Sequence, residues 1–501
     1  MGVAASSSDR DGLDALRAKP RARRIGGDSE SAARWLVYAG LAAVLLWSRL
    51  AAFDKSLWHD EIYTVRSYVV PGPSAIFGHY SSNDHILFSL LSWLTVRLTH
   101  AGDSAYRIWA VVPFIAAVAL LTGWLHRRAG AFVAILFALM CTTSSQLLIL
   151  SSEARGYGLA FFAMAIMTVS AYEARTTNST VPLTWFTSAG VLGCWTLPTF
   201  VLPFIGASFV LLSRVDVRRP LAPRLGAAAV LIVAWYAVPA SALIDSSSQR
   251  FGVPLPWHAP VTGAATELTS AFVPSVGASS VLASLIALPL VGFGVRAVHR
   301  GMPHMLALAV VPTVFTFLVL TISRFYVEER FVSYLLVPIF IVAAFGIRTL
   351  LTETPAPGWF AGATYVILLL VIAEFVFAVF SIRHARLPTE ANREAARTVA
   401  KALALQSRPV IFNTPDPSDV LYFLKNVHQT RVAPSARARL ICSSKIRASG
   451  VIFVQQPYGV DPINTRCLVR EGARVKVWRQ WDRGQRIGIW LLSPGSHSTT
   501  S

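Results

Sequence analysis

Charge is scarce in this chain, and carboxylates are scarcest: 14% of its 501 residues are charged, with 26 Asp and Glu against 45 Lys and Arg. So little charge beside 54% hydrophobic residues excludes a solvated surface along most of the length. There is no P-loop and no dinucleotide fingerprint, so the usual phosphate-cradling turns of nucleotide enzymes are absent. No internal repeat is visible. No His, Cys, Asp and Glu stand together at metal-ligand spacing, so a divalent metal is left open and none is assigned. Cysteine is limited to four residues. Cys141 and Cys194 lie in apolar runs and read as packing residues, whereas Cys442 and Cys467 lie in a polar region where an oxidising compartment would let them pair, although spacing alone fixes no geometry.

What is present is long apolar runs separated by short polar breaks, with a mean hydropathy of +0.53. That pattern defines a polytopic α-helical membrane protein. In a soluble chain the net charge of +19 would point to nucleic acid. Here basic loops beside a lipid bilayer, or an anionic phosphate substrate, account for it better, and no nucleic acid partner is expected.

Residues 1–34 are polar and basic, with Arg17, Lys19, Arg21, Arg23, Arg24 and Arg34 near the first apolar run, and read as a disordered cytoplasmic tail. No small-residue cleavage site follows, so a cleaved signal peptide is not expected. The first span, about 35–53, then carries the chain outward into an external segment, 54–106. Within that segment residues 86–99 form an apolar helical stretch well short of the roughly 20 residues needed to cross. It is read as an interfacial helix, and loop charge decides the point. With 86–99 lying flat, spans fall near 107–125, 131–150, 157–172, 182–196, 198–213, 225–243, 278–298, 304–322, 331–350 and 358–380. The basic breaks at 126–128, 175, 214–224, 296–300 and 348 then all face inward, as the positive-inside rule requires. The expectation is about eleven spans in a module over 35–380, with the N-terminus inside and the C-terminus outside.

Beyond residue 381 the composition becomes ordinary. A helical pattern at 389–406 is followed by strand-like runs at 410–412, 451–454, 475–478 and 487–491. Residues 381–495 read as a small extracytoplasmic α/β domain, followed by a short tail, 496–501.

The chemistry-bearing stretch is Trp58-His59-Asp60-Glu61-Ile62-Tyr63, directly after the first span. The same topology brings Ser151-Ser152-Glu153-Ala154-Arg155-Gly156-Tyr157 and Ser323-Arg324-Phe325-Tyr326-Val327-Glu328-Glu329-Arg330 to the same external face. Ionisable residues interrupting membrane helices line cavities or pair with one another. Asp60 suits a general base toward an acceptor hydroxyl, with Glu61 as its partner. The alternative for Asp60 is a helix N-cap. Arg155 and Arg330 suit a phosphate, since a guanidinium presents a planar fork of donors. They equally suit pairing with their own neighbours, Arg155 with Glu153 and Arg330 with Glu328 or Glu329. His85 could touch a phosphate or serve as a satisfied interface residue. Trp58, Tyr63, Tyr68, Trp257 and Tyr326 could stack on a sugar or form an interfacial aromatic belt.

The order of these features resembles the GT-C superfamily of polytopic glycosyltransferases, specifically bacterial relatives of the dolichyl-phosphate-mannose protein mannosyltransferases. The resemblance rests on the Asp60-Glu61 pair after the first span, on Asn83-Asp84-His85-Ile86-Leu87-Phe88, and on Gly102-Asp103-Ser104 to Arg107. It extends to Ser152-Glu153-Ala154-Arg155-Gly156-Tyr157 and to Arg330, Tyr334 and Pro338. Ile86 stands where the family usually has Pro. The resemblance covers residues 35–380 and implies transfer of a sugar from a polyprenyl-phosphate donor to a glycan, glycolipid or protein acceptor at the external face. In that scheme Asp60 is the base of an inverting displacement. Arg155, Arg330 and His85 meet the donor phosphate, and Glu153, Tyr157, Tyr63 and Glu329 support the site or the sugar. A transporter or lipid flippase is the competing class. It predicts paired charges at mid-membrane depth and often repeated halves.

Overall fold

The computed structural model describes residues 27–241 apart from short gaps at 51–52, 54–56, 58, 79, 82–83, 101–102 and 178. It further describes 280–323, 329–352, a few isolated residues between them, and the strands 410–413, 452–455, 474–482 and 485–493. The membrane-type helices are α1 Gly27–Leu50, α5 Ile108–Ala129, α6 Ala131–Thr143, α8 Tyr157–Thr176, α9 Val181–Thr196, α10 Val201–Leu212, α11 Val215–Tyr236, α12 Ser280–Gly301, α13 Pro303–Ser323 and α14 Leu336–Thr352. Four short helices complete the set: α2 His59–Thr64, α3 Pro73–Gly78, α4 Ile86–Thr99 and α7 Ser145–Leu150.

Among the described residues four helical stretches are long and apolar enough to cross a membrane: Ser104–Ala129, Tyr157–Thr176, Pro303–Ser323 and Arg330–Leu351. Helices α1, α6 and the 198–212 stretch have shorter apolar segments, as does α4, whose bounds fall on the stretch 86–99. Each expected span from 35–53 to 331–350 has a helix at its place; the one at 358–380 lies outside the described residues.

Two boundaries differ from expectation. Helix α1 begins at Gly27 rather than near residue 35. The added turns hold Asp28, Glu30, Ala32 and Ala33, and acidic residues at a helix start combined with alanine favour helix over coil. The apolar run 131–150 is not one helix but two, broken at Ser144, whose hydroxyl accepts from Leu147 N–H at 3.3 Å and so caps α7. The sequence carries a trace of this interruption in the polar run Thr142-Thr143-Ser144-Ser145-Gln146, which an average over a whole apolar span smooths away.

The helices pack about a buried core that includes Phe114, Leu121, Phe137, Met164, Phe186, Phe204 and Phe340. Helix α8 lies between α5 and α9, and α14 packs on both α12 and α6. The α5–α8 approach requires Gly158: a Cβ there would lie 1.8 Å from the Ala110 carbonyl oxygen. Val230, Val233, Leu318 and Ile322 point outward and are more than half exposed, as side chains facing lipid would be.

The C-terminal strands β1 Val410–Asn413, β2 Ile452–Gln455, β3 Arg474–Asp482 and β4 Gln485–Ser493 form one sheet of order β1-β2-β4-β3. β1 runs parallel to β2, while β4 is antiparallel to both β2 and β3, with Trp490 opposite Phe453 on one side and Val477 on the other. These strands fall on the four runs read as strands. The helical pattern at 389–406, Cys442 and Cys467 lie outside the described residues.

Candidate active site

The site is assembled at one end of the helix bundle from segments distant in sequence. Arg49, at the last turn of α1, is fully buried and donates to the carbonyls of Thr142 at 2.8 Å and Cys141 at 3.0 Å. Those carbonyls belong to the last turn of α6, where the break at Ser144 deprives them of helical partners. The same guanidinium donates to Ser151 Oγ at 3.2 Å and lies 5.1 Å from the Phe114 ring centroid. Arg49 thus ties the end of α1 to the broken helix and to the 151–156 break.

Glu61 is buried in the same way. Its carboxylate accepts Arg107 Nη2 at 2.8 Å and Nε at 3.1 Å, a two-pronged pair, and also accepts the backbone N–H of Ala154. With 1% of its side chain exposed, Glu61 stands behind the site and holds the 151–156 backbone in place. Asp60 is less deeply buried. Its Oδ2 accepts Arg155 Nη1 at 2.9 Å and Arg330 Nη2 at 2.7 Å, joining residues 95 and 270 positions away. Arg155 is wholly buried, Arg330 is 22% exposed, and Asp60 keeps 14% of its side chain accessible. The two arginines, read from sequence as suiting either a phosphate or their own neighbouring carboxylates, converge on the Asp60 carboxylate, which stands in the first turn of α2.

His85 precedes α4 and is buried. Its Nδ1 accepts the Gly156 backbone N–H at 2.9 Å, and its Nε2 stands 3.3 Å from Arg155 Nη2. Burial, followed by the charges of Arg155 and Arg330, holds its imidazole well below the usual histidine range, so the ring is neutral. The Tyr157 ring meets His85 edge-on at 5.0 Å and lies 5.3 Å from the Arg155 guanidinium. Phe331 stacks beside Tyr157 at 6.4 Å.

Glu153 is buried, and its Oε2 has no hydrogen-bond partner among the described residues. Desolvation raises its carboxyl to about 8, partly offset by Arg155 and Arg330, so it carries a proton at neutral pH. Asp84 behaves alike: burial raises it to about 8, Ser89 donates to its Oδ1 at 2.9 Å, and its Oδ2 has no partner among the described residues. Tyr63 sits on α2 and is exposed, with its ring edge-on to Tyr68, whose hydroxyl donates to Ser81 Oγ at 2.7 Å. Glu329 opens the 3₁₀ turn Glu329–Leu335, and its side chain lies outside what is described, as do Trp58, Trp257 and Tyr326. Among the described residues no three His, Cys, Asp or Glu gather as a metal site would require. Cys141 and Cys194 are buried free thiols.

Sequence reasoning missed Arg49, the anchoring role of Arg107, and the buried acid at Asp84. The signal for Arg49 was its place in the last turn of an otherwise apolar helix, where a cation must either snorkel or find carbonyls.

The architecture among the described residues is a bundle of membrane-type helices with a C-terminal four-stranded sheet. It matches the crystal structure of ArnT from Cupriavidus metallidurans bound to undecaprenyl phosphate, with a TM-score of 0.52, 14% identity, and coverage of 91% of this chain and 97% of that one. The apo structure of the same protein matches with a TM-score of 0.52 and 10% identity over 92% and 98% of the two chains. No protein-family description matches the sequence, and no curated protein matches it.

Proposed function

We propose that this chain is a membrane glycosyltransferase that takes a sugar from a polyprenyl-phosphate donor and passes it to an acceptor hydroxyl of a glycan, glycolipid or protein at the extracytoplasmic face. The observation that carries the proposal is the meeting of Arg155 and Arg330 on the Asp60 Oδ2 atom at one end of the bundle. A carboxylate that can take a proton and two guanidinium groups that can hold a phosphate are the groups such a displacement needs. The fold shared with a structure bound to undecaprenyl phosphate supports a lipid-linked donor.

In the resting site the arginines occupy the carboxylate. A donor phosphate offers them several anionic oxygens, so its arrival draws Arg155 and Arg330 away and releases Asp60. Asp60 then accepts the proton of the acceptor hydroxyl as that oxygen bonds to the anomeric carbon. The bond from that carbon to the phosphate oxygen breaks with inversion, and the polyprenyl phosphate leaves with its charge held by the arginines. Glu61 acts as a positioning residue through Arg107 and Ala154. Glu153, protonated at neutral pH, has a carboxyl oxygen available to a sugar hydroxyl, and Tyr157, Tyr63 and Glu329 complete the surroundings of the sugar. The basic helix ends opposite the site support an inward-facing far end, and on that reading the site and the 381–495 region lie outside. The transporter reading is less well supported: the buried ion pairs gather at one end of the bundle rather than at mid-depth.

The test is transfer from radiolabelled undecaprenyl-phosphate sugars to membrane acceptors by the reconstituted protein. Wild type transfers label. Asp60→Asn, expressed at the same level, loses at least about a hundredfold in rate, the usual contribution of a general base. Unchanged transfer by Asp60→Asn would remove Asp60 from the role of base.

A further inference from the structure

We propose that the slot between α9 and α11 binds one phospholipid of net negative charge from the inward-facing leaflet, with its phosphate on Arg224 and an acyl chain lying along the slot. This site goes beyond the transferase reading and takes from it only the orientation of the bundle.

The slot follows from the faces that the two helices turn toward each other. On α9, Thr184, Ser188, Val191, Leu192 and Trp195 recur on one face, and on α11 Arg224, Ala228 and Leu231 do the same. The faces touch at both ends. At one end Arg224 Nε donates to Thr184 Oγ1 at 3.2 Å. At the other the Trp195 indole N–H donates to the Leu231 carbonyl at 3.3 Å, and its ring stacks on Trp235 with centroids 4.3 Å apart. Between these contacts Ala227 and Ala228 are too short to fill the space, which leaves a cavity of about 370 Å³. Leu231 on its rim is 48% exposed, so the slot opens on the outside of the bundle, where lipid chains meet it.

Charge distinguishes the two ends. Arg224 is the one ionisable residue in the lining, and it stands nine residues into α11, where a cation is costly without a partner. Its side chain bends back toward the inward end of the helix, with Nη1 donating to the Pro220 carbonyl. Both partners are neutral, and among the described residues no carboxylate pairs with Arg224. Asp216, the single acid between Arg214 and Arg224, is taken by Arg214. A phosphate supplies the missing negative charge and accepts from the guanidinium, with the Ser188 hydroxyl one turn from Thr184 at the same end. A zwitterionic head group would bring an ammonium into a site that holds a cation and no carboxylate, so the complement is a head group of net negative charge. The apolar remainder of the slot suits a chain running toward the middle of the bilayer. The donor site is elsewhere: Thr196, at the opposite end of α9, lies against Gly156, about 18 Å along the helix from Thr184.

The test titrates the full-length protein in detergent with phosphatidylglycerol and with phosphatidylcholine of matched chains, and counts bound lipid by native mass spectrometry. Wild type holds the first phosphatidylglycerol at least about tenfold more tightly than phosphatidylcholine, the weight of a hydrogen bond to a charged group. Arg224→Gln brings the two lipids to within about twofold, while Arg224→Lys keeps the preference. Arg128→Gln, which removes a cation from the same end of the bundle but outside the slot, also keeps it. Ala227→Phe fills the slot beside an intact Arg224 and weakens both lipids. A preference that survives Arg224→Gln overturns the site, and so does a wild type that shows none, the result if another part of the chain fills the slot. Unchanged affinity in Ala227→Phe overturns it as well. Displacement of phosphatidylglycerol by undecaprenyl phosphate in an Arg224-dependent manner would make the slot a carrier site and overturn the phospholipid assignment. Sugar transfer enters none of these measurements, so the transferase reading stands or falls separately.

Discussion

The two ends of the helix bundle put the same residue type to opposite uses. At the site end, Arg49, Arg107 and Arg155 are buried, and their partners lie 102, 46 and 95 residues away. At the other end Arg128 pairs with Glu173 with 42% of its side chain exposed, Arg214 pairs with Asp216 two residues on, and Arg348 reaches the Ala129 carbonyl at the end of α5. The far-end arginines finish helix C-termini and meet water, which is what loop cations do in a membrane protein. The site-end arginines are desolvated and held by carboxylates and carbonyls from elsewhere in the chain, an arrangement too costly to keep for topology alone. The difference teaches that an arginine at a helix lip is informative only once its burial and the distance to its partner are known.

The sharpest way to break this contrast is at Glu61. Glu61→Ala leaves Arg107 buried without this counter-charge and frees the Ala154 amide. Breaking such a pair costs about 3–5 kcal/mol. The expected outcome is a large drop in the apparent melting temperature in detergent together with loss of transfer. Arg107→Ala gives a similar drop, and the double variant loses far less than the sum, because the pair acts as a unit. If Glu61→Ala melts like wild type, the buried network is not what holds the 151–156 break.

The contrast also marks what the sequence could say. Asp60, Glu61, Arg155 and Arg330 were legible because an ionisable residue that interrupts an apolar run has few places to go, and the alternation of basic loops put all four on one side. The strands were legible because Val410–Phe412 and Ile487–Leu491 are short β-type runs bounded by polar residues. The pairings were not legible: Glu153 stands two residues from Arg155, and sequence cannot show that the guanidinium also reaches Asp60, 95 residues back. The break at Ser144 left one trace, the polar run Thr142-Thr143-Ser144-Ser145-Gln146, which an average over twenty residues smooths away. Arg49 went unread because its partners are carbonyls that are free only once that break is formed. Gly156 stood inside the Glu-Ala-Arg-Gly-Tyr motif, yet its function as an amide donor with no room for a side chain is a property of the packing.

Acid titration sharpens the comparison at intermediate scale. At the site end, burial raises Glu153 and Asp84 to about 8. At the far end, Arg214 holds Asp216 below its ordinary value through a direct hydrogen bond. The signs are opposite. A carboxyl that keeps its proton when folded but loses it near pH 4 when unfolded favours the folded state below that pH, and the contribution is lost as pH rises toward 8. Asp84→Asn, which retains the shape of the protonated acid, therefore flattens the fall in melting temperature between pH 5 and 8. A pH profile identical to wild type would show that Asp84 ionises in the folded protein as it does in water.

The smallest effect is expected at the far end, and it tests the contrast from the other side. Arg128 and Glu173 form a pair with 42% and 20% of their side chains exposed, and Glu173 also accepts the Trp124 indole N–H at 2.8 Å. Solvent screens such a pair to about 0–1 kcal/mol. Arg128→Gln keeps a polar side chain at the end of α5 and leaves Trp124 its acceptor. It should move the melting temperature by no more than a few degrees and leave transfer within about twofold of wild type. The neighbouring Arg127 preserves positive charge on the same loop, so the orientation of the helix should hold as well. A large loss of transfer in Arg128→Gln, measured beside the intact melting curve, would mean that the two ends are coupled through α5 and α8 and that exposure does not separate the arginines of the two ends by their effect on transfer.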